Sequence, residues 1–211
     1  MSKPFQNISA KNIQLPAKII LAAASPRRKE LLSKIARSCE ILPSNAPEIE
    51  PPECHWSETA LLNAVVKAQA VAALHPEALV IGADTVIEFD GRILGKPRDL
   101  EDAKAMLQTL SGATHEVATG VCLASVKGEI LCRFIERTKV EFKKLDKQTI
   151  EEYLSKVHVL DKAGAYAIQD HGDLIVEGIE GDLDNVVGLP ATRLAEAISA
   201  AGCGGLLRPC C

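Results

Sequence analysis

The chain alternates between short apolar runs and longer segments in which apolar residues recur with helical spacing. The short runs are bounded by turn residues and predict strands at residues 18–23, 40–42, 79–89, 92–94, 114–125, 129–142 and 174–179. Helical spacing with start and stop residues predicts helices over 26–37, 57–74, 99–111, 146–154 and 190–201. Some strands follow each other as hairpins and others are separated by helices, which predicts a mixed β-sheet flanked by helices in an α/β or α+β fold.

Polar and proline-rich segments set the expected boundaries of the domain. Residues 1–17 predict an N-terminal tail, residues 18–201 a single domain, and residues 202–211, which end in two cysteines, a C-terminal tail. A chain of 211 residues with 47% hydrophobic content suffices for one continuous core. Residues 43–53 hold four prolines and three glutamates, so we expect an irregular loop whose acids face water or a cation.

A buried strand leads directly into a cluster of positive charge near the start of the chain. After the apolar residues 19–24, Ser25 is a favoured N-cap and Pro26 is preset for the first helical position. Residues 27–29, two arginines and a lysine, then fall in the first turn, where the helix dipole disfavours cations. A bound anion would remove this conflict, so the turn predicts a phosphate site; the alternative is a solvated basic turn.

The most strand-like run, residues 79–89, carries an acid in its interior. A carboxylate in a central strand is costly to bury unless it is paired or bound to a metal, which makes Asp84 a candidate functional residue. The alternative is a strand-end carboxylate that accepts hydrogen bonds from a loop. The five histidines have no ligand spacing, and the sequence has neither a Rossmann glycine fingerprint nor a Walker loop.

The overall charge and the cysteines exclude several classes of partner. A net charge of −4 gives no broad basic field for a nucleic-acid duplex or an anionic membrane. Seven scattered cysteines without C-x-x-C spacing argue against a zinc site or a disulfide framework and favour a reducing cytoplasm. No apolar run approaches the ~18 residues of a membrane span, and the N-terminus lacks the apolar region of a signal peptide, so we expect an unexported protein without a membrane partner.

Six motifs, in the same order along the chain, resemble the Maf family of nucleoside triphosphate pyrophosphatases. They are Ala24-Ser25-Pro26-Arg27-Arg28 with Glu30-Leu31-Leu32, Gly82-Ala83-Asp84-Thr85, Gly95-Lys96-Pro97, Leu110-Ser111-Gly112, Asp161-Lys162-Ala163-Gly164-Ala165-Tyr166 with Ile168-Gln169, and Val186-Val187-Gly188-Leu189-Pro190. The resemblance implies a two-lobed mixed α/β fold related to inosine triphosphatase, a central cleft, and often a homodimer. It also implies that water and a divalent cation cleave a nucleoside triphosphate between its α- and β-phosphates, which gives the monophosphate and pyrophosphate.

The resemblance assigns roles to nine positions of this sequence. Asp84 matches the family's catalytic carboxylate, a proton acceptor. The phosphate-binding turn is matched by Ser25, Arg27 and Arg28, and the other active-site positions by Glu48, Lys67 and Lys96. The specificity positions hold Arg27, Thr85 and Gln169, a set similar to that of the branch acting on dTTP and UTP.

The chemistry of these side chains agrees with those roles. The two arginines suit bidentate binding of phosphates, and Lys67 and Lys96 suit stabilisation of the transferring and leaving groups. Asp84 and Glu48 offer hard oxygen ligands for Mg²⁺ or Mn²⁺, and Gln169 offers a donor and an acceptor to the imide edge of uracil or thymine.

The predicted function is hydrolysis of dTTP and UTP, as housecleaning of the cytoplasmic nucleotide pool. The alternatives are a nucleotide-binding regulator of cell division without turnover, a pyrophosphatase of different base preference, and a hydrolase that cleaves a different bond.

Three positions depart from the family pattern. Ala23 stands where serine is usual, Pro47 stands where an acid often precedes Glu48, and Asp170 stands where glycine is common. These changes remove a hydroxyl near the phosphates, remove a carboxylate near the metal, and alter the loop expected to contact the base. None of them changes Asp84, so we expect activity to be retained.

Overall fold

A mixed β-sheet forms the centre of the fold in the computed structural model, which describes residues 16–49, 55–125 and 128–209. Within these ranges the sheet has seven strands in the order β2-β1-β3-β5-β6-β7, with β4 paired to β3. They are β1 (Lys18–Leu21), β2 (Cys39–Ile41), β3 (Ala78–Phe89), β4 (Arg92–Leu94), β5 (Thr114–Ser125), β6 (Glu129–Phe142) and β7 (Val176–Glu180). Strand β1 runs parallel to β2 and β3, and the other pairs are antiparallel, so the predicted mixed sheet is confirmed.

Six α-helices flank the sheet within the described residues. They are α1 (Pro26–Ile35), α2 (Trp56–Ala72), α3 (Leu100–Leu110), α4 (Lys147–Lys156), α5 (Leu183–Val187) and α6 (Ala191–Ala200). Residues 180–188 were expected to form a loop, but α5 lies within them and begins at its N-cap Asp182. None of the helices in the described part of the chain has the length and apolar character required to cross a bilayer.

One edge of β3 has a gap in its strand pairing. One edge is paired to β5 without a break from Val80 to Glu88. On the opposite edge β1 pairs with β3 as far as Ile81, and β4 pairs with it from Ile87 onwards. Among the described residues, no strand therefore pairs with this edge at residues 82–86, and the sheet is open there.

Helix α2 lies very close to β3 and β5, because each strand has a glycine beneath it. A Cβ atom at Gly82 would collide with the backbone of Ala64, and one at Gly120 would collide with the backbone at the start of α2. The helical spacing of the sequence predicts that Leu61 and Leu62 belong to the apolar face of α2, but both are only half-buried, so this part of the prediction is wrong. The inward face instead carries small, fully buried side chains, including Ala60, Ala64 and Ala68.

The start of α2 also differs from the expectation. Its N-cap is His55, whose Nδ1 accepts a hydrogen bond from the backbone N–H of Ser57. Ser57 was predicted to be the cap, but it lies inside the helix, where its side chain accepts a 2.7 Å hydrogen bond from Arg137 on β6. The cap was misplaced because serine is a favoured cap residue and histidine is not.

The buried core is divided into clusters on either side of the opening in the sheet. One cluster joins α1 and α6 to β1 and includes Leu21, Leu32 and Ile198. Another joins α3 and α4 to the far ends of β5 and β6 and includes Leu107 and Tyr153. This arrangement agrees with the expected two-lobed shape.

The predicted domain boundaries fall partly outside the described residues, which exclude 1–15, 210 and 211. Within the predicted C-terminal tail, Cys203 is buried against the α1 cluster. Residues 204–206 form a 3-10 helix, and Leu207 forms a β-bridge with Ala36. This part of the tail therefore packs on the domain, and the boundaries themselves stay a prediction.

Candidate active site

A cleft of about 780 Å³ lies at the open edge of β3. It is bordered by the turn between β1 and α1, by the segment between β4 and α3, and by residues 161–169 and 186–188. All nine residues that the sequence singled out line this cleft: Ser25, Arg27, Arg28, Glu48, Lys67, Asp84, Thr85, Lys96 and Gln169. The structure thus brings together residues that are up to 144 positions apart, from Ser25 to Gln169.

The turn between β1 and α1 has the predicted helix start. Ser25 is the N-cap of α1, its Oγ accepts a hydrogen bond from the backbone N–H of Arg28, and Pro26 begins the helix. The first turn of α1 contains no acid that would balance the positive end of the helix dipole. Among the described residues, no carboxylate forms an ion pair with Arg27, Arg28 or Lys96. These three cations line the cleft, and within the described ranges none of them is neutralised by an ion pair.

Arg28 is held in place by groups from two other parts of the chain. Its Nε donates a 2.8 Å hydrogen bond to the carbonyl oxygen of Gly188, and its Nη2 donates a 2.9 Å bond to Oγ1 of Thr85. Thr85 in turn lies 2.9 Å from the hydroxyl of Thr119, which donates to the carbonyl oxygen of Asn185. Burial lowers the pKa of Arg28, and the nearby charge of Asp84 opposes that shift. An arginine stays protonated under these conditions, so the cleft keeps an oriented positive charge.

Asp84 lies in the middle of β3, opposite Gly120, and only 8% of the residue is exposed. Both of its oxygens accept hydrogen bonds from α2: Oδ1 from Nζ of Lys67 at 2.8 Å and Oδ2 from Nδ2 of Asn63 at 3.3 Å. These donors compensate for burying a carboxylate, which would be costly without them. The close approach of α2 to Gly82 and Gly120 brings both donors within reach of the strand.

Lys67 links Asp84 to the acidic loop. Its Nζ lies 2.6 Å from Oε1 of Glu48 and 2.8 Å from Oδ1 of Asp84. The hydrogen bond from Lys67 lowers the pKa of Glu48, and the charges of Lys96 and Arg28 act in the same direction. The two carboxylates thus converge on the ammonium group of Lys67, in the same cleft as the cations of the first turn.

Comparisons with known proteins show the family to which the chain belongs. The family model described as "Maf-like protein" matches residues 18–201 of the chain. The chain belongs to the Maf family. Among curated Maf relatives, a protein of Pyrococcus furiosus is 47% identical over 181 residues, which cover 86% of this chain and 94% of the relative. It is named "dTTP/UTP pyrophosphatase".

Two bacterial relatives carry the same name. The "dTTP/UTP pyrophosphatase" of Bacillus cytotoxicus is 45% identical over 181 residues, or 86% of this chain and 94% of the relative. That of Akkermansia muciniphila is 41% identical over 184 residues, or 87% of this chain and 96% of the relative. The similarity therefore extends over nearly the whole of each relative.

The two acids at Lys67 are compatible with a magnesium or manganese site. No group of three or more His, Cys, Asp or Glu side chains in the described ranges lies close enough together to hold a metal ion. Mg²⁺ in proteins nevertheless takes only one or two carboxylates when substrate phosphates and water complete its coordination. Glu48 and Asp84 supply two hard oxygen ligands, and the ammonium group of Lys67 already lies between them. The donor set therefore fits such an ion bound together with a polyphosphate.

Gln169 lines the cleft from the segment that follows Tyr166. Its Nε2 donates a 3.0 Å hydrogen bond to Oδ2 of Asp170, one of the three departures from the Maf pattern. The backbone of this segment is fixed by Tyr153, whose hydroxyl accepts from the N–H of Ala167 and donates to its carbonyl oxygen. The carboxylate of Asp170 thus accepts a hydrogen bond from the side-chain nitrogen of Gln169. The side-chain carbonyl oxygen of Gln169 receives no hydrogen bond from Asp170. Ala23, a second departure, lines the cleft itself.

Sequence reasoning missed two polar residues of this Maf site. Asn63 is 3% exposed and contacts Asp84, and Thr119 is fully buried and contacts Thr85. The one available signal was the position of Asn63 four residues before Lys67, which places both on one face of a helix. Thr119 gave no signal, because threonine is common in strands.

Proposed function

We propose that this Maf family member is a nucleoside triphosphate pyrophosphatase that hydrolyses dTTP and UTP to the monophosphate and pyrophosphate. The observation that carries the proposal is that one cleft holds Arg27 and Arg28, which lack carboxylate partners in the described structure, together with the carboxylates of Asp84 and Glu48. The names of relatives that are 41–47% identical support the same substrates. A nucleoside triphosphate bound with a metal cation would supply negative charge to the arginines and positive charge to the carboxylates of such a cleft.

The cationic side of the cleft suits the phosphate chain. Two guanidinium groups at the start of α1 can bind phosphate oxygens in a bidentate manner, and the positive end of the helix dipole adds to their charge. Lys96 contributes a mobile point charge beside them. Negative charge grows on the leaving pyrophosphate as the bond to the α-phosphorus breaks, so cations at this position stabilise the transition state more than the ground state.

The acidic side of the cleft suits activation of water. Asp84 and Glu48 would hold Mg²⁺ or Mn²⁺ through their carboxylate oxygens, and such an ion supplies charge neutralisation and a lowered pKa of bound water. Asp84 is in addition the proton acceptor for the attacking water. Lys67 orients that carboxylate through its 2.8 Å hydrogen bond to Oδ1. General bases of this kind contribute about 10²- to 10⁴-fold in rate.

The two specificity positions on β3 and on the 161–169 segment have different tasks. The hydroxyl of Thr85 is already engaged by Arg28 and Thr119, so we assign to Thr85 the positioning of Arg28. Gln169 lines the cleft, and its side-chain carbonyl oxygen accepts no hydrogen bond from the part of the chain that the structure describes, so it can accept from the N3–H of uracil or thymine. Recognition of the pyrimidine therefore depends on Gln169.

A panel of natural and common modified nucleoside triphosphates, with the products separated by ion-exchange chromatography, tests the proposal. With Mg²⁺ or Mn²⁺ present, we expect dTTP and UTP to be hydrolysed fastest, each to its monophosphate and pyrophosphate, and EDTA to abolish turnover. Release of orthophosphate would contradict the assigned bond. Binding of dTTP without any turnover would instead support the regulator of cell division as the function.

We extend the proposal to a homodimer in the cytoplasm, as the family resemblance suggests. The four described cysteines, Cys39, Cys122, Cys132 and Cys203, are all free thiols, which agrees with a reducing compartment. Light scattering on the purified protein measures the mass in solution. A mass close to that of a 22.6 kDa monomer at micromolar concentration would contradict the dimer.

A further inference from the structure

The side chain of Asn63 forms two hydrogen bonds with the backbone of one residue of the acidic loop. Its Oδ1 accepts a 2.8 Å hydrogen bond from the N–H of Ile49, and its Nδ2 donates a 3.1 Å bond to the carbonyl oxygen of the same residue. The second hydrogen of Nδ2 is donated to Oδ2 of Asp84 at 3.3 Å. One buried amide therefore joins the residue after Glu48 to the carboxylate on β3.

The three bonds also fix which way the amide of Asn63 is turned. The N–H of Ile49 can only donate, whereas the carbonyl of Ile49 and the carboxylate of Asp84 accept. A rotated amide would place its oxygen against two acceptors and its NH₂ against a donor. Because Asn63 is 3% exposed, water cannot correct such a mismatch. Asparagine can make all three hydrogen bonds at this position, whereas an apolar residue of the same shape can make none.

The loop that carries Glu48 has little else to hold it. Residues 43–49 have no regular secondary structure, and 60% of the Glu48 side chain is exposed. Within the described ranges, hydrogen bonds from these seven residues to the rest of the fold are made only by Ile49 with Asn63 and by Glu48 with Lys67. The distance between Glu48 and Asp84 consequently depends on the contact with α2.

We propose that Asn63 is a positioning residue that holds Glu48 at a fixed distance from Asp84; this inference rests on the proposed function of the cleft. Asn63 and Lys67 lie one turn apart on α2, and each donates to a different oxygen of Asp84. Because α2 packs directly against Gly82 and Gly120, it holds the loop and the strand at a fixed separation.

The substitution Asn63→Leu tests the inference, because leucine has the same number and branching of side-chain heavy atoms and no polar atom. We expect faster hydrogen exchange of the Ile49 amide, measured by NMR, since its acceptor is lost. We also expect the Mn²⁺ concentration for half-maximal dTTP hydrolysis to rise by about 10- to 100-fold, the usual effect of removing a residue that orients a metal ligand. The rate at saturating Mn²⁺ should change much less.

A matched control is available at Ser111, on the turn after α3. Its hydroxyl accepts from the N–H of Leu145 at 2.7 Å and donates to the carbonyl of the same residue at 3.3 Å, so it makes the same kind of two-bond contact. Ser111 does not line the cleft. Ser111→Ala should leave the Mn²⁺ dependence and the activity unchanged, although it removes two comparable bonds.

A double-mutant cycle with Glu48→Gln separates positioning from general damage. If Asn63 acts through Glu48, Asn63→Leu should have little further effect on Mn²⁺ dependence once the carboxylate at 48 is gone. An equal effect in both backgrounds, or an unchanged Mn²⁺ dependence despite faster exchange at Ile49, would overturn the inference. Should Asn63→Leu not fold by circular dichroism, Asn63→Ser, whose hydroxyl is too short to reach both atoms of Ile49, replaces it with the same expected results.

Failure of the proposed function gives a different result from failure of this inference. If the wild-type protein hydrolyses no triphosphate, the proposed function is wrong. Binding of Mn²⁺ measured by electron paramagnetic resonance without nucleotide still reports on Glu48 and Asp84. Weaker Mn²⁺ binding in Asn63→Leu, but not in Ser111→Ala, would then still support the positioning role, and equal binding in both would reject it.

Discussion

Asp84 and Thr85 are neighbours on β3, yet their side chains lie on opposite faces of the sheet and are held by different helices. Asp84 accepts hydrogen bonds from Lys67 and Asn63 on α2, whereas Thr85 accepts one from Arg28 on α1. Successive side chains of any strand alternate in this way. Both residues reach one cleft because β3 has no strand partner, among the described residues, on one edge at 82–86. The gap in strand pairing thus allows the acidic group Asp84 and the cationic group Arg28 to line the same cleft.

Arg28→Lys is expected to weaken nucleotide binding. Lysine keeps the positive charge but cannot donate both to Gly188 and to Thr85 while it presents a fork to phosphate. The loss of charge-assisted bonds, each worth about 1.5–3 kcal/mol, should raise the KM for dTTP by about 10- to 100-fold. Steady-state kinetics measure the change. Arg98→Lys, at an ion pair whose arginine side chain is 85% exposed, serves as the control and should leave KM unaltered.

Gln169→Leu is expected to affect the pyrimidine and not the phosphates. Leucine fills a similar volume but cannot accept from the imide of thymine or uracil, so kcat/KM for dTTP and UTP should fall at least ~10-fold. Inhibition by inorganic tripolyphosphate, which has no base, should keep the wild-type constant. An equal loss for dTTP and for tripolyphosphate would show that Gln169 does not contact the base. Gln148→Leu, on the exposed side of α4, is the matched control.

Gly82→Ala is expected to destabilise the whole domain. The added methyl group would collide with the backbone of Ala64, which cannot move without lifting α2 from the sheet. Overpacking of this kind costs about 1–3 kcal/mol, which corresponds to a fall in Tm of roughly 2–12 °C for a domain of this size. Differential scanning calorimetry measures it. Gly178→Ala on β7, where a Cβ meets no atom within 4 Å, should change Tm little.

The structure also predicts a pH dependence of stability centred on His115. Burial lowers the pKa of His115 to about 4, and its Nε2 lies 2.8 Å from the hydroxyl of Tyr166. In the unfolded chain the same group titrates near 6.5. As the pH falls from 6.5 towards 4, the unfolded state binds a proton that the folded state does not, so stability present above pH 6.5 is lost.

At pH 5 this loss amounts to about 2 kcal/mol. Urea unfolding at pH 7.5 and at pH 5 measures it, and His115→Gln should remove that part of the pH dependence. His158→Gln, at a side chain that is 73% exposed, should retain the full dependence. A wild-type pH dependence in His115→Gln would show that another group is responsible.

Features that depend on local chemistry were predictable from the sequence. Ser25 and Pro26 start α1 as expected, Asp99 caps α3, and the strands at 114–125 and 129–142 have the predicted bounds. Each of these depends on a short run of neighbouring residues. The association of Arg28 with Asp84 was inferred from the type of residue and from the family resemblance, and the structure places both in the cleft.

Features that depend on tertiary contacts were not predictable. The inward face of α2 is set by Gly82 and Gly120, which lie on strands distant in sequence, and its spacing alone favoured the larger leucines. The role proposed for Asn63 depends on the backbone of Ile49, which lies within hydrogen-bond distance of its side chain. The engagement of Thr85 by Arg28 likewise follows from the position of α1 against β3. In each case the determining partner lies far along the chain.

The central claim is that Asp84 acts in the hydrolysis of the bound triphosphate. Measuring dTTP binding and dTTP turnover separately in Asp84→Asn tests it most directly. Asparagine keeps an acceptor for Lys67 but can neither accept a proton nor offer a charged ligand. We expect dTTP binding, measured by isothermal titration calorimetry with Mg²⁺, to stay within about tenfold of wild type, while pyrophosphate release falls by about 10²- to 10⁴-fold. Pyrophosphate release from dTTP at the wild-type rate would contradict the account.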